Sequence, residues 1–233
     1  MSAARAAKST RPVKPATKTS SPERVDVTQL LRQRIANHEL APGTKLTEMD
    51  LAAEFGVPRP RVREALAALE QRGLVERTHN KGTVVTRLEL GQVLAIYEAR
   101  EALEGLAVRL ATERSPKGHW KELLRHFTDE MPRLLADGKL DEVLSGYELF
   151  RDRVFAAANN TVIQSMVDSI LERTQMVIRR AVILPGRAER GLMQHQAVLR
   201  AMDKGDAAEA ERLRKLNMRE AADFVRRYHK FVI

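Results

Sequence analysis

Apolar residues recur with helical spacing in two short segments near residue 60, and a sharp break separates them. The first apolar face consists of Leu51, Ala52 and Phe55. Thr47, followed by Asp50, predicts a capped start for this helix, and Gly-Val-Pro at 56–58 ends it. The second apolar face consists of Val62, Ala65, Leu66 and Leu69. This spacing predicts two short helices joined by a tight turn.

The pattern changes from helical to extended after Gly73, the expected stop of the second helix. Leu74 and Val75 are followed by a polar turn at 79–82 and a β-branched run at 83–86. This order predicts a two-stranded hairpin. A further helix is predicted over 27–37, packed on the other two. Residues 23–88 are therefore predicted to form a small domain of three helices and a hairpin.

From residue 92 onward the periodicity is helical throughout. Gly, Pro and Asn breaks divide this region into six predicted helices over 92–114, 118–136, 140–158, 161–181, 187–204 and 206–229. Their Leu, Val, Met and Phe positions predict a bundle with a buried apolar core. The predicted fold class is mainly α, with the N-terminal domain at 23–88 and an all-α six-helix bundle at 91–230.

Composition excludes several classes of function. The chain has 233 residues, enough for two small domains, and no stretch approaches the ~18 consecutive apolar residues of a transmembrane helix. It has no cysteine, which excludes disulfides and thiolate chemistry and fits a cytoplasmic location. A Gly-rich phosphate loop and a Ser-His-Asp spacing are also missing, so we predict neither enzymatic activity nor a cofactor.

The net charge of +9 points to a polyanionic partner, but the location of the charge matters more. Residues 1–22 contain five basic residues and no acidic one. They are rich in Ala, Ser, Thr and Pro, which predicts a disordered basic tail. Such a tail would either add salt-sensitive phosphate contacts or be an inert leader.

Three arginines occupy the first turn of the second short helix: Arg59, Arg61 and Arg63. The helix dipole favours acidic residues at that end, so helix stability does not explain them. Guanidinium groups at a helix start in the DNA major groove would bind guanine edges and phosphates. A solvated basic turn is the alternative interpretation.

The segment from 41 to 82 resembles the winged helix-turn-helix of the GntR family of bacterial transcription regulators. The matching motifs are Ala-Pro-Gly-Thr-Lys-Leu-Thr-Glu at 41–48, Leu-Ala at 51–52, Gly-Val at 56–57, Val-Arg-Glu-Ala-Leu at 62–66, Gly-Leu-Val at 73–75 and Asn-Lys-Gly at 80–82. The resemblance implies a sequence-specific interface with double-stranded DNA. Its implied DNA-binding residues are Thr47, Arg59, Pro60, Arg61, Arg63, Lys81 and Gly82.

The chain departs from the family pattern just before Val62. The family usually has Ser-Arg-Thr-Pro where this chain has Pro-Arg-Pro-Arg at 58–61, so a capping serine is replaced. Pro60 disfavours helical backbone at Arg59, which predicts that the helix begins at Pro60. Met49 stands where the family often has arginine, and the base preference is left open.

The helical region resembles the FCD domain, the effector domain of the fatty-acid-regulator branch of that family, and six helices suggest its vanillate-regulator-like subgroup. The matching segments lie at 97–107, 155–160, 194–199 and 204–210. Many such domains hold a divalent metal ion through one Asp and three His. The equivalent positions here are Tyr147, Arg151, His195 and Asn217. Only His195 is a common metal ligand, so no bound metal is predicted.

The substituted positions suit an anion instead. Tyr147 and Arg151 lie one helical turn apart, and Arg100, His195 and Asn217 would add further donors inside the bundle. A buried arginine needs an acidic partner or a ligand. We therefore predict a small organic-acid effector bound without metal. The alternative is an internal salt bridge of Arg151 and a vestigial pocket.

Together these features predict a DNA-binding transcriptional regulator, a repressor as is usual in the family, that acts as a homodimer on a palindromic operator. The organic acid would control its DNA affinity, and helices 92–114 and 161–181 are candidates for the dimer interface. No membrane partner is predicted. The competing hypothesis is a non-specific nucleic-acid-coating protein with a vestigial effector pocket, which salt dependence and operator preference would distinguish.

Overall fold

The chain folds into an N-terminal helix-and-sheet domain followed by a helical bundle, as seen in a computed structural model that describes residues 26–37, 39–78 and 82–233. The predicted basic tail at 1–22 lies outside the described residues. The elements of the first domain are α1 (Val27–Ala36), β1 (Lys45–Leu46), α2 (Glu48–Phe55), α3 (Arg59–Gln71), β2 (Val75–Thr78) and β3 (Gly82–Val85). The predicted three helices are all present.

The turn between α2 and α3 has the conformation that its sequence predicts. Thr47 caps α2 by accepting a hydrogen bond from the backbone N–H of Asp50 at 3.1 Å. Gly56 ends α2 in the left-handed region at a φ of 63°, which glycine adopts without strain. α3 begins at Arg59, one residue before the predicted start at Pro60. Pro60 lies in the first turn, where its missing N–H costs no hydrogen bond.

The predicted two-stranded hairpin is part of a three-stranded antiparallel sheet with the order β1-β3-β2. β2 and β3 form the hairpin, and Lys45 of β1 pairs with Val84 of β3. β1 is not predicted from the sequence, because a two-residue strand shows no alternation of apolar and polar positions. This third strand joins the hairpin of β2 and β3, the wing of the domain, to the segment that precedes α2.

One apolar core holds the first domain together. α1 and α2 both pack on α3, and α3 packs on β2. The most deeply buried residues of this core are Leu31, Val62, Leu69, Val75 and Val85. Because α1 and α3 share this core, we expect the two helices to move together.

The second domain contains the six predicted helical segments, one of them interrupted. Its elements are α4 (Leu90–Arg114), α5 (Lys121–Arg125), a π-helical turn (His126–Glu130), α6 (Met131–Ala136), α7 (Leu140–Ala158), α8 (Thr161–Val182), α9 (Arg187–Lys204) and α10 (Ala207–Val232). The π-helical turn divides the predicted helix 118–136. A single widened turn leaves the apolar pattern nearly unchanged, so the sequence does not reveal it.

α4 lies at the centre of the bundle and packs against α7, α8 and α10. The largest fully buried side chains of the bundle core are Trp120, Phe127 and Phe150. Polar and charged residues interrupt the apolar interior where α4, α9 and α10 meet. These buried residues are Arg100, Glu104, His195, Arg214 and Asn217.

Candidate functional site

The exposed face of α3 begins with the arginines of its first turn. Arg59, Arg61 and Arg63 are exposed to solvent together with Pro60, whereas Val62 is buried in the domain core. Among the described residues, no carboxylate forms an ion pair with Arg59 or Arg61. These two guanidinium groups are therefore available to phosphates and base edges.

Arg63 is held by a carboxylate of the preceding helix. Its Nε and Nη2 donate to Oε1 and Oε2 of Glu48, each at 2.8 Å. The hydrogen bonds and charge of Arg63 lower the pKa of Glu48 below its ordinary value. This planar two-point contact fixes the direction of the guanidinium and ties α3 to α2.

A groove of about 360 Å³ separates α3 from the sheet. Its wall consists of Glu48, Arg63, Leu66, Arg77, Thr78, Gly82 and Thr83. Gly82 has a backbone φ of 75°, which favours glycine at this position. Thr47 uses its hydroxyl to cap α2, and Lys81 lies outside the described residues. Of the predicted DNA-binding residues, Arg63 and Gly82 thus share one groove.

The second domain contains a cavity of about 420 Å³ between α4, α7, α8, α9 and α10. All five residues predicted to bind an effector line it: Arg100, Tyr147, Arg151, His195 and Asn217. The arginines of its wall outnumber the carboxylates by two. The arginines are Arg32, Arg100, Arg151, Arg179, Arg187 and Arg214, and the acids are Glu104, Glu148, Asp168 and Glu172.

One buried carboxylate in this wall pairs with two arginines. Glu104 accepts hydrogen bonds from Nε of Arg100 at 2.7 Å and from Nε of Arg214 at 3.1 Å. Burial alone would raise the pKa of Glu104, but Arg100 and Arg214 lower it to about 2. One negative charge thus faces two positive charges. Nη1 of Arg100 is buried and has no hydrogen-bond partner among the described residues.

His195 is a neutral acceptor in this cluster. Its Nδ1–H donates to the backbone oxygen of Gly191 at 2.8 Å, and its Nε2 accepts from Nη1 of Arg214 at 3.1 Å. Burial and the charge of Arg214 lower the pKa of His195 to about 3. The imidazole stacks on the ring of Tyr147, with the centroids 4.5 Å apart.

Tyr147 and Arg187 meet above a glycine of α9. The Tyr147 hydroxyl donates to the backbone oxygen of Ala188 at 3.0 Å, and burial raises the pKa of this hydroxyl. A Cβ atom at Gly191 would lie 3.1 Å from the Tyr147 hydroxyl oxygen and 3.2 Å from Nη1 of Arg187. Both side chains can therefore occupy these positions only because residue 191 is a glycine. Burial lowers the pKa of Arg187, and within the described parts of the chain no carboxylate forms an ion pair with it.

Asn217 and Arg151 take different positions around the cavity. Asn217 Oδ1 accepts from Nη1 of Arg214 at 2.7 Å, and its Nδ2 donates to Gln194. Arg151 lies nearer the surface and pairs with its neighbour Asp152 at 3.3 Å. Arg214, rather than Arg151, is therefore the arginine at the centre of the buried cluster.

Glu104, Arg187 and Arg214 line the cavity but are not among the residues predicted from the sequence. Arg214 lies one helical turn before Asn217, and Glu104 lies one turn after Arg100, so the helical spacing carries a signal for both. No comparable signal identifies Arg187, which follows the break that precedes α9.

This donor set does not suit the divalent metal ion that many FCD domains hold at the equivalent positions. Nε2 of His195 is hydrogen-bonded to the guanidinium of Arg214, and that fixed positive charge would repel a metal cation. The other expected ligand positions hold Tyr147, Arg151 and Asn217. Within the described residues, no group of three His, Cys, Asp or Glu side chains is arranged to hold a metal.

The winged helix-turn-helix and the helical domain with its cationic cavity define a two-domain DNA-binding regulator. In the described ranges, no helix is long and apolar enough to cross a bilayer. The family model of bacterial regulatory proteins of the gntR family matches residues 24–85, and that of the FCD domain matches residues 95–220. The chain therefore belongs to the GntR family of DNA-binding transcriptional regulators and carries an FCD domain.

Similar proteins agree with this assignment. The chain is 30% identical to the HTH-type transcriptional regulator LutR of Bacillus subtilis over 198 residues, covering 76% of this chain and 89% of LutR. It is 24% identical to the HTH-type transcriptional repressor RspR of Escherichia coli over 208 residues, covering 89% and 90%. The structure of E. coli McbR/YncC shares the fold, with a TM-score of 0.69, 21% identity and coverage of 87% of this chain and 96% of that one. The predicted fold class and regulator class are thus confirmed.

Proposed function

We propose that the chain represses transcription as a homodimer on a palindromic operator, and that a small organic anion in the cavity lowers its affinity for DNA. The observation that carries this proposal is the buried excess of guanidinium over carboxylate, since Arg100 and Arg214 share Glu104. The relative RspR is a repressor by name, which supports the direction of the regulation.

The buried charge supports an anionic effector. An unpaired charge inside a protein is costly, and so is a buried donor without an acceptor. Nη1 of Arg100 is such a donor, and Arg187 adds a further positive charge to the same cavity. A bound carboxylate would supply both the acceptor and the missing negative charge. The cavity volume of about 420 Å³ lies in the usual range for small-molecule sites.

The exposed arginines of α3 support operator binding. Arg59 and Arg61 would contact phosphates and base edges directly, while Glu48 holds Arg63 at the groove beside the wing. A single α3 covers one half-site, so a two-fold operator requires two copies of the chain.

An exposed apolar pair on α8 supports the homodimer. Val162 and Met166 lie one turn apart and are 60% and 50% exposed. Large apolar side chains grouped at a surface mark interaction sites more often than isolated ones do. α8 corresponds to the predicted helix 161–181, one of the two helices that we propose from the sequence for the dimer interface.

The effector site can be tested by thermal denaturation of the full chain with a panel of small carboxylic acids and their amides. We expect an acid to raise the Tm and its amide to have no effect. Arg100→Gln should abolish the shift in Tm. Glu104 would then balance the charge of Arg214 one to one, and no excess of guanidinium would remain at this carboxylate. Arg109→Gln is the matched control, since Arg109 lies on the same helix in an exposed pair with Glu113.

Two results would contradict the proposal. If no acid stabilises the chain, or if the amides stabilise it equally, the cavity does not bind an organic anion. If a duplex selected from genomic DNA binds no more tightly than a random duplex, the chain is not a sequence-specific repressor.

A further inference from the structure

The wall of the cavity includes a residue of the DNA-binding domain. Arg32 of α1 and Glu172 of α8 both line the cavity, and their side chains form an ion pair. Glu172 also accepts hydrogen bonds from Nη1 of Arg72, at 3.0 and 3.4 Å, immediately after α3. One carboxylate of the second domain therefore holds two arginines of the first.

The next residue of α8 reinforces this contact. The side chain of Arg173 packs directly on Gly73. A Cβ atom at Gly73 would lie only 3.1 Å from Nε of Arg173. Gly73 has a φ of 69° and forms the turn after α3. Residues 172 and 173 thus hold both α1 and the end of α3, so α8 contributes to the placement of α3 relative to the bundle.

The charge balance of the cavity points to a ligand with two negative charges. Two carboxylates of its wall, Glu104 and Glu172, are each shared by two arginines. Arg100 and Arg214 share Glu104, and Nη1 of Arg100 has no hydrogen-bond partner among the described residues. Arg32 and Arg72 of the other domain share Glu172. A ligand with an acidic group at each end would meet both parts of the wall.

We propose that the effector is a dicarboxylate whose second carboxylate binds Arg32 and takes this arginine from Glu172. This inference rests on the proposed function, because it specifies the ligand of the same cavity. A carboxylate beside Arg32 competes with Glu172 for the guanidinium and also repels the Glu172 side chain. The ion pair between α8 and α1 is then lost, and the repulsion of Glu172 weakens its second pair, with Arg72 at the end of α3. α1 and α3 would then shift together, because the two helices share one core.

Thermodynamic linkage requires the coupling between dicarboxylate binding and operator binding to be reciprocal. If the dicarboxylate lowers operator affinity by a given factor, bound operator lowers dicarboxylate affinity by the same factor. A ligand with one carboxylate would occupy the part of the cavity near Arg100 and leave the pair of Arg32 and Glu172 intact. It would therefore bind without releasing DNA.

The test uses the full chain, linear dicarboxylates from malonate to suberate, and butyrate as a monocarboxylate. Calorimetry gives the affinity for each acid, and anisotropy with the selected operator gives the affinity for DNA. We expect one dicarboxylate to lower operator affinity by about tenfold, within the usual range of allosteric coupling. Butyrate should leave operator affinity unchanged.

Two variants separate ligand binding from coupling. Glu172→Gln should still bind the dicarboxylate, while its operator affinity changes less than about twofold on saturation. Arg32→Gln should bind the dicarboxylate about tenfold more weakly but butyrate as wild type does. Arg34→Gln is the matched control on the same helix, because Arg34 pairs with Glu39 and Glu54 inside its own domain.

The outcomes distinguish the two proposals. If no acid of the series binds the wild-type chain, the anionic effector itself is wrong and this inference falls with it. If an acid binds and releases DNA equally in the wild type, Glu172→Gln and Arg32→Gln, the anion-controlled regulator stands and the exchange at Arg32 is wrong. Release of DNA by butyrate would also overturn the inference.

Discussion

Nη1 of Arg214 donates a hydrogen bond to Nε2 of His195 across 3.1 Å, and both side chains are buried. A fixed positive charge therefore lies against His195, the one residue of the four family metal positions that is a common metal ligand. Glu104 compensates this charge and is itself shared with Arg100. The cavity consequently presents hydrogen-bond donors, which is the basis for the anionic effector that we propose.

Glu104 should be the most sensitive charged residue of the bundle. Glu104→Gln leaves two buried guanidinium groups without a carboxylate and should cost about 3–5 kcal/mol of unfolding free energy, measured by urea denaturation. Glu101→Gln on the same helix is the control, because its pair with Arg219 is more exposed and should contribute less than about 1 kcal/mol. Equal losses in the two variants would mean that Glu104 does not balance the cluster.

His195 should make the chain less stable as the pH falls below neutrality. The folded-state pKa of about 3 lies below the ordinary value of 6.5, so between these values only the unfolded chain binds the proton. The stability difference between wild type and His195→Gln should therefore shrink by roughly 2 kcal/mol from pH 7 to pH 5. Urea denaturation at both pH values measures it. Parallel pH profiles would show that the imidazole is not kept neutral in the folded chain.

Glu48 should limit binding to random DNA. Its carboxylate holds Arg63 at the groove between α3 and the sheet, which we propose faces DNA, and would repel phosphates there. Glu48→Gln should raise affinity for a random duplex by about fivefold and reduce the ratio of operator to random affinity, both measured by anisotropy at fixed salt. Glu54→Gln on the same helix, whose partner is Arg34, should keep the wild-type ratio. An unchanged ratio in Glu48→Gln would argue against a role for this pair in specificity.

Gly191 should matter for ligand affinity more than for folding. An added Cβ would press on Tyr147 and Arg187 at 3.1 and 3.2 Å and displace the guanidinium from the cavity wall. Gly191→Ala should weaken binding of the stabilising acid by about tenfold in calorimetry. The loss of stability should be small, because alanine favours the helix by about 0.5–1 kcal/mol.

Gly91→Ala provides the comparison, since no atom lies within 4 Å of a Cβ built there. It should bind the acid as the wild type does. If Gly191→Ala also binds normally, Arg187 is not part of the binding site.

The order of the elements could be predicted from the sequence because local signals determine it. The cap at Thr47 and the left-handed turn at Gly56 both occur where the sequence places them. β1 and the π-helical turn at 126–130 could not be predicted, since each changes the apolar pattern by only one or two positions. The family resemblance supplied the five cavity residues, and helical periodicity alone would not have joined them.

The charge pairing inside the cavity depends on tertiary contacts. α10 carries Arg212, Arg214 and Lys215 within four positions, and their sequence does not tell which one is buried. Packing against α4 places Arg214 beside Glu104, while Arg212 remains exposed and pairs with Glu209. The contact of Arg32 with Glu172 joins positions 140 residues apart, so no local pattern predicts it.

The most direct measurement of anion-controlled DNA binding is anisotropy of the wild-type chain on its selected operator and on a random duplex of equal length, at physiological salt. Each titration is performed with and without a saturating concentration of the acid that raises the Tm. We expect the operator to bind at least about a thousandfold more tightly than the random duplex, and the acid to lower operator affinity by about tenfold. Equal affinity for the two duplexes, or an operator affinity that the saturating acid leaves unchanged, would contradict this mechanism.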